Sequence, residues 1–247
     1  MWLRLLLQGW TRLVKGHWRS RLVAGVTIAG CAAFAAPAQA ATITVNATAD
    51  APGPGGCAGA PGDCSLRQAL TLANGNPDAT NVIRLPGNRF VLSNGVLTIS
   101  KTVMLQGDGA SSTVIDGNHA SRVIMITGGA PVATTINDLT VTNGSVSATG
   151  SQGGGGIYNS GGPLALNRDR FINNAVAALS GCCNGGGAIF NMGGDLTINH
   201  STLDNNSVTE NGANGCCSGG GAVHTGAGNL SVSGSTADGN AFTTTGC

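Results

Sequence analysis

The sequence has few aromatic and few charged residues, 4% and 9% of its 247 positions. All three tryptophans (Trp2, Trp10 and Trp18) sit near the amino terminus, and beyond residue 40 there is one tyrosine, Tyr158, and one lysine, Lys101. These shortages exclude several classes. Without a basic stripe or a stacking platform, the chain is no nucleic-acid binder. With one tyrosine and no tryptophan past the leader, stacking on sugars is poorly served. The longest apolar run, Leu22 to Ala36, covers 15 residues, too few for a good membrane span. Low charge with much Gly, Asn, Ser and Thr can signal disorder, but regularly spaced Ile, Leu and Val argue for a folded chain.

That regular spacing is the dominant signal. Gly153-Gly154-Gly155-Gly156-Ile157-Tyr158-Asn159 is followed by Leu164-Ala165-Leu166 and Phe171-Ile172-Asn173-Asn174. The pattern returns as Gly185-Gly186-Gly187-Ala188-Ile189-Phe190-Asn191, Leu196-Thr197-Ile198 and Leu203-Asp204-Asn205-Asn206. It returns again as Gly219-Gly220-Gly221-Ala222-Val223, Leu230-Ser231-Val232 and Ala237-Asp238-Gly239-Asn240. Ile157 to Ile189 is a step of 32, and Ile189 to Val223 a step of 34. A fixed period of this size means a repeat architecture. The short alternating runs have the two-residue period of strands. One repeat cannot bury its apolar face alone, whereas stacked copies share a continuous interior. Three short strands per turn describe an all-β parallel β-helix. A propeller has a similar period but needs longer strands and aromatic signatures. The asparagines Asn173, Asn174, Asn205, Asn206 and Asn240 read as corner residues able to form ladders.

Residues 1–40 read as an export signal: a basic leader (Arg4, Arg12, Lys15, Arg19, Arg21), the apolar run, and Ala38-Gln39-Ala40 as cleavage site. Ile28-Ala29-Gly30-Cys31 supports an alternative, a lipid anchor at Cys31. Five of the 12 Lys+Arg and none of the 11 Asp+Glu leave with the leader, so the mature chain carries 7 − 11 = −4. Residues 41–80 read as an amino-terminal cap. Ala41-Thr42-Ile43-Thr44-Val45 alternates and reads as an opening strand. Cys57 and Cys64 flank a Gly/Pro-rich loop and are candidates for a disulfide in an exported protein. Ser65 and Gln68 form a capping box, and Leu66, Ala69, Leu70 and Ala73 make one helix face. Residues 81–247 are the solenoid, read as ending mid-repeat.

Thr42-Ile43-Thr44-Val45-Asn46 with Cys64-Ser65-Leu66-Arg67-Gln68-Ala69-Leu70 resembles the CSLREA domain of exported bacterial proteins, with Gln68 where the signature has Glu. The Gly-rich repeats over about 153–240 are similar to those of chlamydial polymorphic outer-membrane proteins. The resemblance implies a right-handed parallel β-helix on a secreted or surface protein. It implies no established activity and no catalytic residue.

Gly181-Cys182-Cys183 and Gly215-Cys216-Cys217 lie 34 apart, in phase with the repeats, and Cys247 follows Cys216 by 31. Equal phase places Cys182 and Cys183 beside Cys216 and Cys217, so disulfides between turns are expected. A four-Cys metal site and free thiols are the alternatives, although adjacent cysteines lack the usual zinc-knuckle gap. Cys247 would open a third pair.

For an active site, the candidates are Asp204 and Asp238, which share a phase on neighbouring repeats and follow interior residues. Glycoside hydrolysis needs two carboxylates about 5–10 Å apart. The plainer expectation is a solvated pair, because few other carboxylates share that face for a calcium ion. Arg168-Asp169-Arg170 is the densest charge cluster and does not recur. His119, His200 and His224 form no ligand pattern and read as surface residues. Catalytic, cofactor and metal residues are expected to be none. Two functions remain. One is a non-enzymatic exported stalk or adhesin-like passenger with a surface or glycan ligand. The other is a polysaccharide lyase or glycoside hydrolase on the same scaffold.

Overall fold

The computed structural model describes residues 41–51, 56–76, 80–128, 132–149, 153–180, 185–211 and 219–245. The leader with its two processing alternatives lies outside the described residues, as do Cys182, Cys183, Cys216, Cys217 and Cys247. The described chain is a parallel β-helix with one short helix at its amino-terminal end.

Strands of three to six residues wind through stacked parallel sheets. The longest sheet has seven strands, from Ala41–Thr44 through Asn81–Leu85, Val103–Gly107, Thr134–Asn137, Leu164–Asn167 and Leu196–Asn199 to Leu230–Ser233. Its lateral partners Asn81, Val103, Thr134, Leu164, Leu196 and Leu230 set successive turns of 22, 31, 30, 32 and 34 residues. A six-stranded and a five-stranded sheet form two other sides.

Alternation within each strand sends every second side chain inward, and the in-register stacking turns this into three columns. Ile83, Leu105, Ile136, Leu166 and Ile198 run up the first side. Phe90, Ile115, Val141, Phe171 and Leu203 run up the second. Leu97, Ile124, Ile157, Ile189 and Val223 run up the third. All but Val223 are fully buried in one core. Each contributes roughly 1.5–3 kcal/mol by leaving water.

The repeats differ from the expected three-strand turn in having a fourth strand. Ser145–Thr149, Ala175–Ser180, Ser207–Asn211 and Ala241–Thr245 pair in parallel as an additional sheet. The first three of these strands precede, in sequence, the glycine runs that begin at Gly153, Gly185 and Gly219. Val176 and Val208 on this sheet are buried but lie outside the central core. Glycine is required in these runs where backbones of neighbouring turns meet. A Cβ at Gly187 would stand 2.6 Å from the Ser207 nitrogen and 2.4 Å from the Gly221 carbonyl oxygen. Only a residue without a side chain lets backbones approach this closely.

The corner asparagines divide into two kinds. Asn143, Asn173 and Asn205 take the left-handed conformation, with φ of 54°, 56° and 54°, which Asn tolerates better than most residues. Asn174 and Asn206 follow them, fully buried. The Asn174 amide donates to Asn206 Oδ1 at 3.0 Å, and the Asn206 amide to Asn240 Oδ1 at 2.9 Å. A second amide ladder runs from Asn199 through Asn167 and Asn137 to Gln106, with bonds of 3.0, 2.9 and 3.1 Å.

The helix forms where the sequence indicates. Leu66–Gly75 is helical, and Leu66, Ala69, Leu70 and Ala73 are its buried residues. Ser65 Oγ accepts from the Gln68 N–H at 3.1 Å, which is the serine half of the capping box. Cys57 and Cys64 form a disulfide.

Candidate functional site

Asp204 and Asp238 are lateral partners on adjacent turns of the six-stranded sheet. Leu203 and Ala237 precede them on the inward side, so the two carboxyl groups point outward. Asp204 is half-buried and Asp238 exposed. Asp238 Oδ1 accepts the Gly239 N–H at 2.9 Å. Among the described residues, no group of three His, Cys, Asp or Glu side chains could hold a metal ion.

The other carboxylates tie parts of the solenoid together. Asp50 receives Arg67 Nε at 2.7 Å and the backbone N–H groups of Ser93 and Asn94, both at 2.7 Å. Arg67 also donates to the carbonyls of Gly95 and Val96 at 2.7 and 3.0 Å. This side chain therefore fastens the capping helix to the loop before Leu97–Ile99. Asp116 receives Arg89 Nε at 2.9 Å, the Asn118 N–H at 2.9 Å and the Asn143 amide at 3.0 Å. Burial pushes the Asp50 and Asp116 carboxyls up, but these donors outweigh it and hold both below the ordinary value. Asp138 is lowered chiefly by Arg168, which contacts it through two bonds of 2.7 Å. Asp63 accepts the Ala60 N–H and the Asn46 amide, both at 3.1 Å.

Asp169 is the exception. It is 1% exposed and accepts the Leu139 and Asn167 N–H groups at 3.1 and 2.9 Å. Burial pushes its carboxyl up to about 7 against these two bonds. The sequence marks Arg168-Asp169-Arg170 as a charge cluster, but its three members separate in space. Arg168 turns to Asp138, Asp169 enters the interior, and Arg170 is exposed.

The histidines divide as well. His119 and His200 are exposed, as expected. His224 is half-buried and ends a column of rings, which corrects its reading as a simple surface residue. Tyr158 stacks on Phe190 with centroids 5.8 Å apart, and Phe190 on His224 at 4.9 Å. The Arg122 guanidinium lies over the Tyr158 ring, 4.9 Å from its centroid. Arg122 also donates to the carbonyls of Gly153 and Gly154 at 3.0 and 2.8 Å. The signal for this column was present in the sequence: Tyr158, Phe190 and His224 each follow the inward residue Ile157, Ile189 or Val223.

At the last turn the apolar columns reach the surface. Leu230 and Val232 are 48% and 54% exposed. They line a cavity of about 250 Å³ with Ile198, Leu203, Val223 and Ala237. No helix among the described residues is long and apolar enough to cross a membrane. Comparisons with protein-family models, with curated proteins and with solved structures give no match.

Proposed function

We propose that this is a non-enzymatic exported or cell-surface β-helix, a rigid stalk or adhesin-like passenger that presents its faces to a surface or glycan ligand. One observation carries the reading. Asp50, Asp116 and Asp138 are each held by an arginine, and Asp63 and Asp169 by backbone N–H groups, so these carboxyls serve the architecture. The leader, the CSLREA-like cap and the phased repeats support export. Intact-mass analysis of the exported protein tests the processing. A mature chain starting at Ala41 is expected, and one starting at a lipidated Cys31 gives the anchored alternative.

The lateral Asp204–Asp238 pair favours a second reading, a lyase or hydrolase acting on a polysaccharide. Incubating the mature protein with polyuronides and neutral glycans separates the two. No turnover is expected. Robust turnover that disappears in Asp204→Asn establishes the enzyme instead.

The proposal extends to the arms. Strands Ala175–Ser180 and Ser207–Asn211, which lead into the Cys182-Cys183 and Cys216-Cys217 segments, are direct neighbours. Disulfides between these segments would staple adjacent turns. Thiol titration of the oxidised, unfolded protein is expected to find these four cysteines unreactive; four reactive thiols from them remove the staple.

A further inference from the structure

Asp169 stands in a column whose other members show what the position requires. Leu139, Asp169, Ser201 and Ser235 each follow a left-handed corner residue: Asp138, Arg168, His200 and Gly234, with φ of 58°, 57°, 48° and 57°. The first three backbone N–H groups in the column each donate to the side-chain oxygen one turn further on. Leu139 donates to Asp169 Oδ1 at 3.1 Å, Asp169 to Ser201 Oγ at 3.1 Å, and Ser201 to Ser235 Oγ at 3.0 Å. The position therefore needs an acceptor oxygen, and in two turns a neutral hydroxyl supplies it. Those hydroxyls also donate, Ser201 to the Asn199 carbonyl and Ser235 to the Ser233 carbonyl, both at 2.9 Å. Asp169 takes the same place with a carboxyl whose two oxygens accept the Leu139 and Asn167 N–H groups; as a carboxylate it brings into the interior a charge that the neutral hydroxyls do not.

The charged and titratable groups around this corner do not offset that charge. Arg168 is engaged by Asp138, which places a second carboxylate nearby. Arg170 and His200 are exposed. The three ion pairs among the described residues do not include Asp169.

We propose that Asp169 is a pH-sensitive element of the solenoid, a neutral acid standing in for the serine of the following turns, whose ionisation weakens the stacking around it. The direction follows from linkage. Its folded-state pKa of about 7 lies above the ordinary 3.8, so the folded chain holds the proton more tightly than the unfolded chain. The stabilisation is complete below the ordinary carboxyl range. It declines as pH rises toward 7 and is gone above it.

The test compares wild type with Asp169→Ser, which installs the residue of the next two turns, and with Asp169→Asn, which mimics the neutral acid. Melting midpoints are measured at pH 5 and pH 8 in constant salt. Wild type is expected to lose several degrees relative to both variants between these values. A wild-type-to-variant gap that is the same at pH 5 and pH 8 overturns the proposal. Should the serine variant not fold, the asparagine variant carries the same comparison. Carboxyl-carbon NMR of the wild-type protein gives a readout that needs no variant. A buried aspartate titrating near neutral pH supports the proposal, and titration of every aspartate in the ordinary range defeats it.

Discussion

The two halves of this solenoid share one core but hold their turns in register by different means. Every Lys and Arg beyond residue 40 lies at or before Arg170: Arg67, Arg84, Arg89, Lys101, Arg122, Arg168 and Arg170. Residues 41–170 contain seven basic and seven acidic residues, whereas residues 171–247 contain none and four (Asp195, Asp204, Glu210, Asp238), so the net charge of −4 over residues 41–247 belongs to the second part. The Asn199–Asn167–Asn137–Gln106 amide ladder crosses both parts. The first part adds the ion pairs Arg67–Asp50, Arg89–Asp116 and Arg168–Asp138. The second adds the Asn174–Asn206–Asn240 amides and the Ser201 and Ser235 hydroxyls. A neutral amide both donates and accepts, so it can repeat identically up a stack at no cost, whereas identical charges one turn apart, as in the lateral Asp204–Asp238 pair, repel. The first described turn also packs against a helix and a disulfide loop, while in the last described turn Leu230 and Val232 are half exposed.

The contrast can be broken most strongly in the columns. Phe171→Ala removes a fully buried ring from mid-stack and is expected to cost about 3–5 kcal/mol in denaturant unfolding. Leu230→Ala, at the exposed end, should cost under about 1 kcal/mol on the same measurement. Equal costs would mean that the last turn is covered in solution.

Next in size is the amide ladder. Asn206→Ala leaves the Asn174 backbone N–H and the Phe171 carbonyl without their partner. It should cost roughly 1–3 kcal/mol, with hydrogen exchange accelerating first at Asn174. Arg67→Ala tests the charged half. It strands the nearly buried Asp50, and a loss of about 1–3 kcal/mol is expected near neutral pH. Because the Asp50 pKa is lowered in the fold, that contribution exists above the ordinary carboxyl range and disappears as pH falls below it. Wild type and Arg67→Ala should therefore converge in acid, opposite in sign to the behaviour argued for Asp169. The smallest effect belongs to Arg168→Ala. Its pair with Asp138 is on the surface, and about 0–1 kcal/mol, fading with added salt, is expected.

Much of the fold was legible because the core repeats. Ile157, Ile189 and Val223 announce a column by their phase, and the structure stacks them as direct partners. The capping helix was equally legible, since four apolar residues on one face and a serine cap are local signals. The arm sheet was not recognised. Its runs, such as Ala175-Val176-Ala177 and Ser207-Val208-Thr209, alternate only weakly and pack outside the main core. The candidate site was read only in outline. That Asp204 and Asp238 share a face follows from their phase; how Arg168, Asp169 and Arg170 part company does not, since it depends on a left-handed corner at Arg168.

By itself, the sequence determined that this chain stacks: period, strand alternation and corner residues are all local or periodic properties, and they are consistent with one another. Only the tertiary structure decided which polar groups meet. Whether Asp169 is a surface charge or an interior acid is a matter of a few ångströms between one turn and the next. That distance is set by the packing of residues thirty positions apart, and no stretch of neighbouring residues contains it.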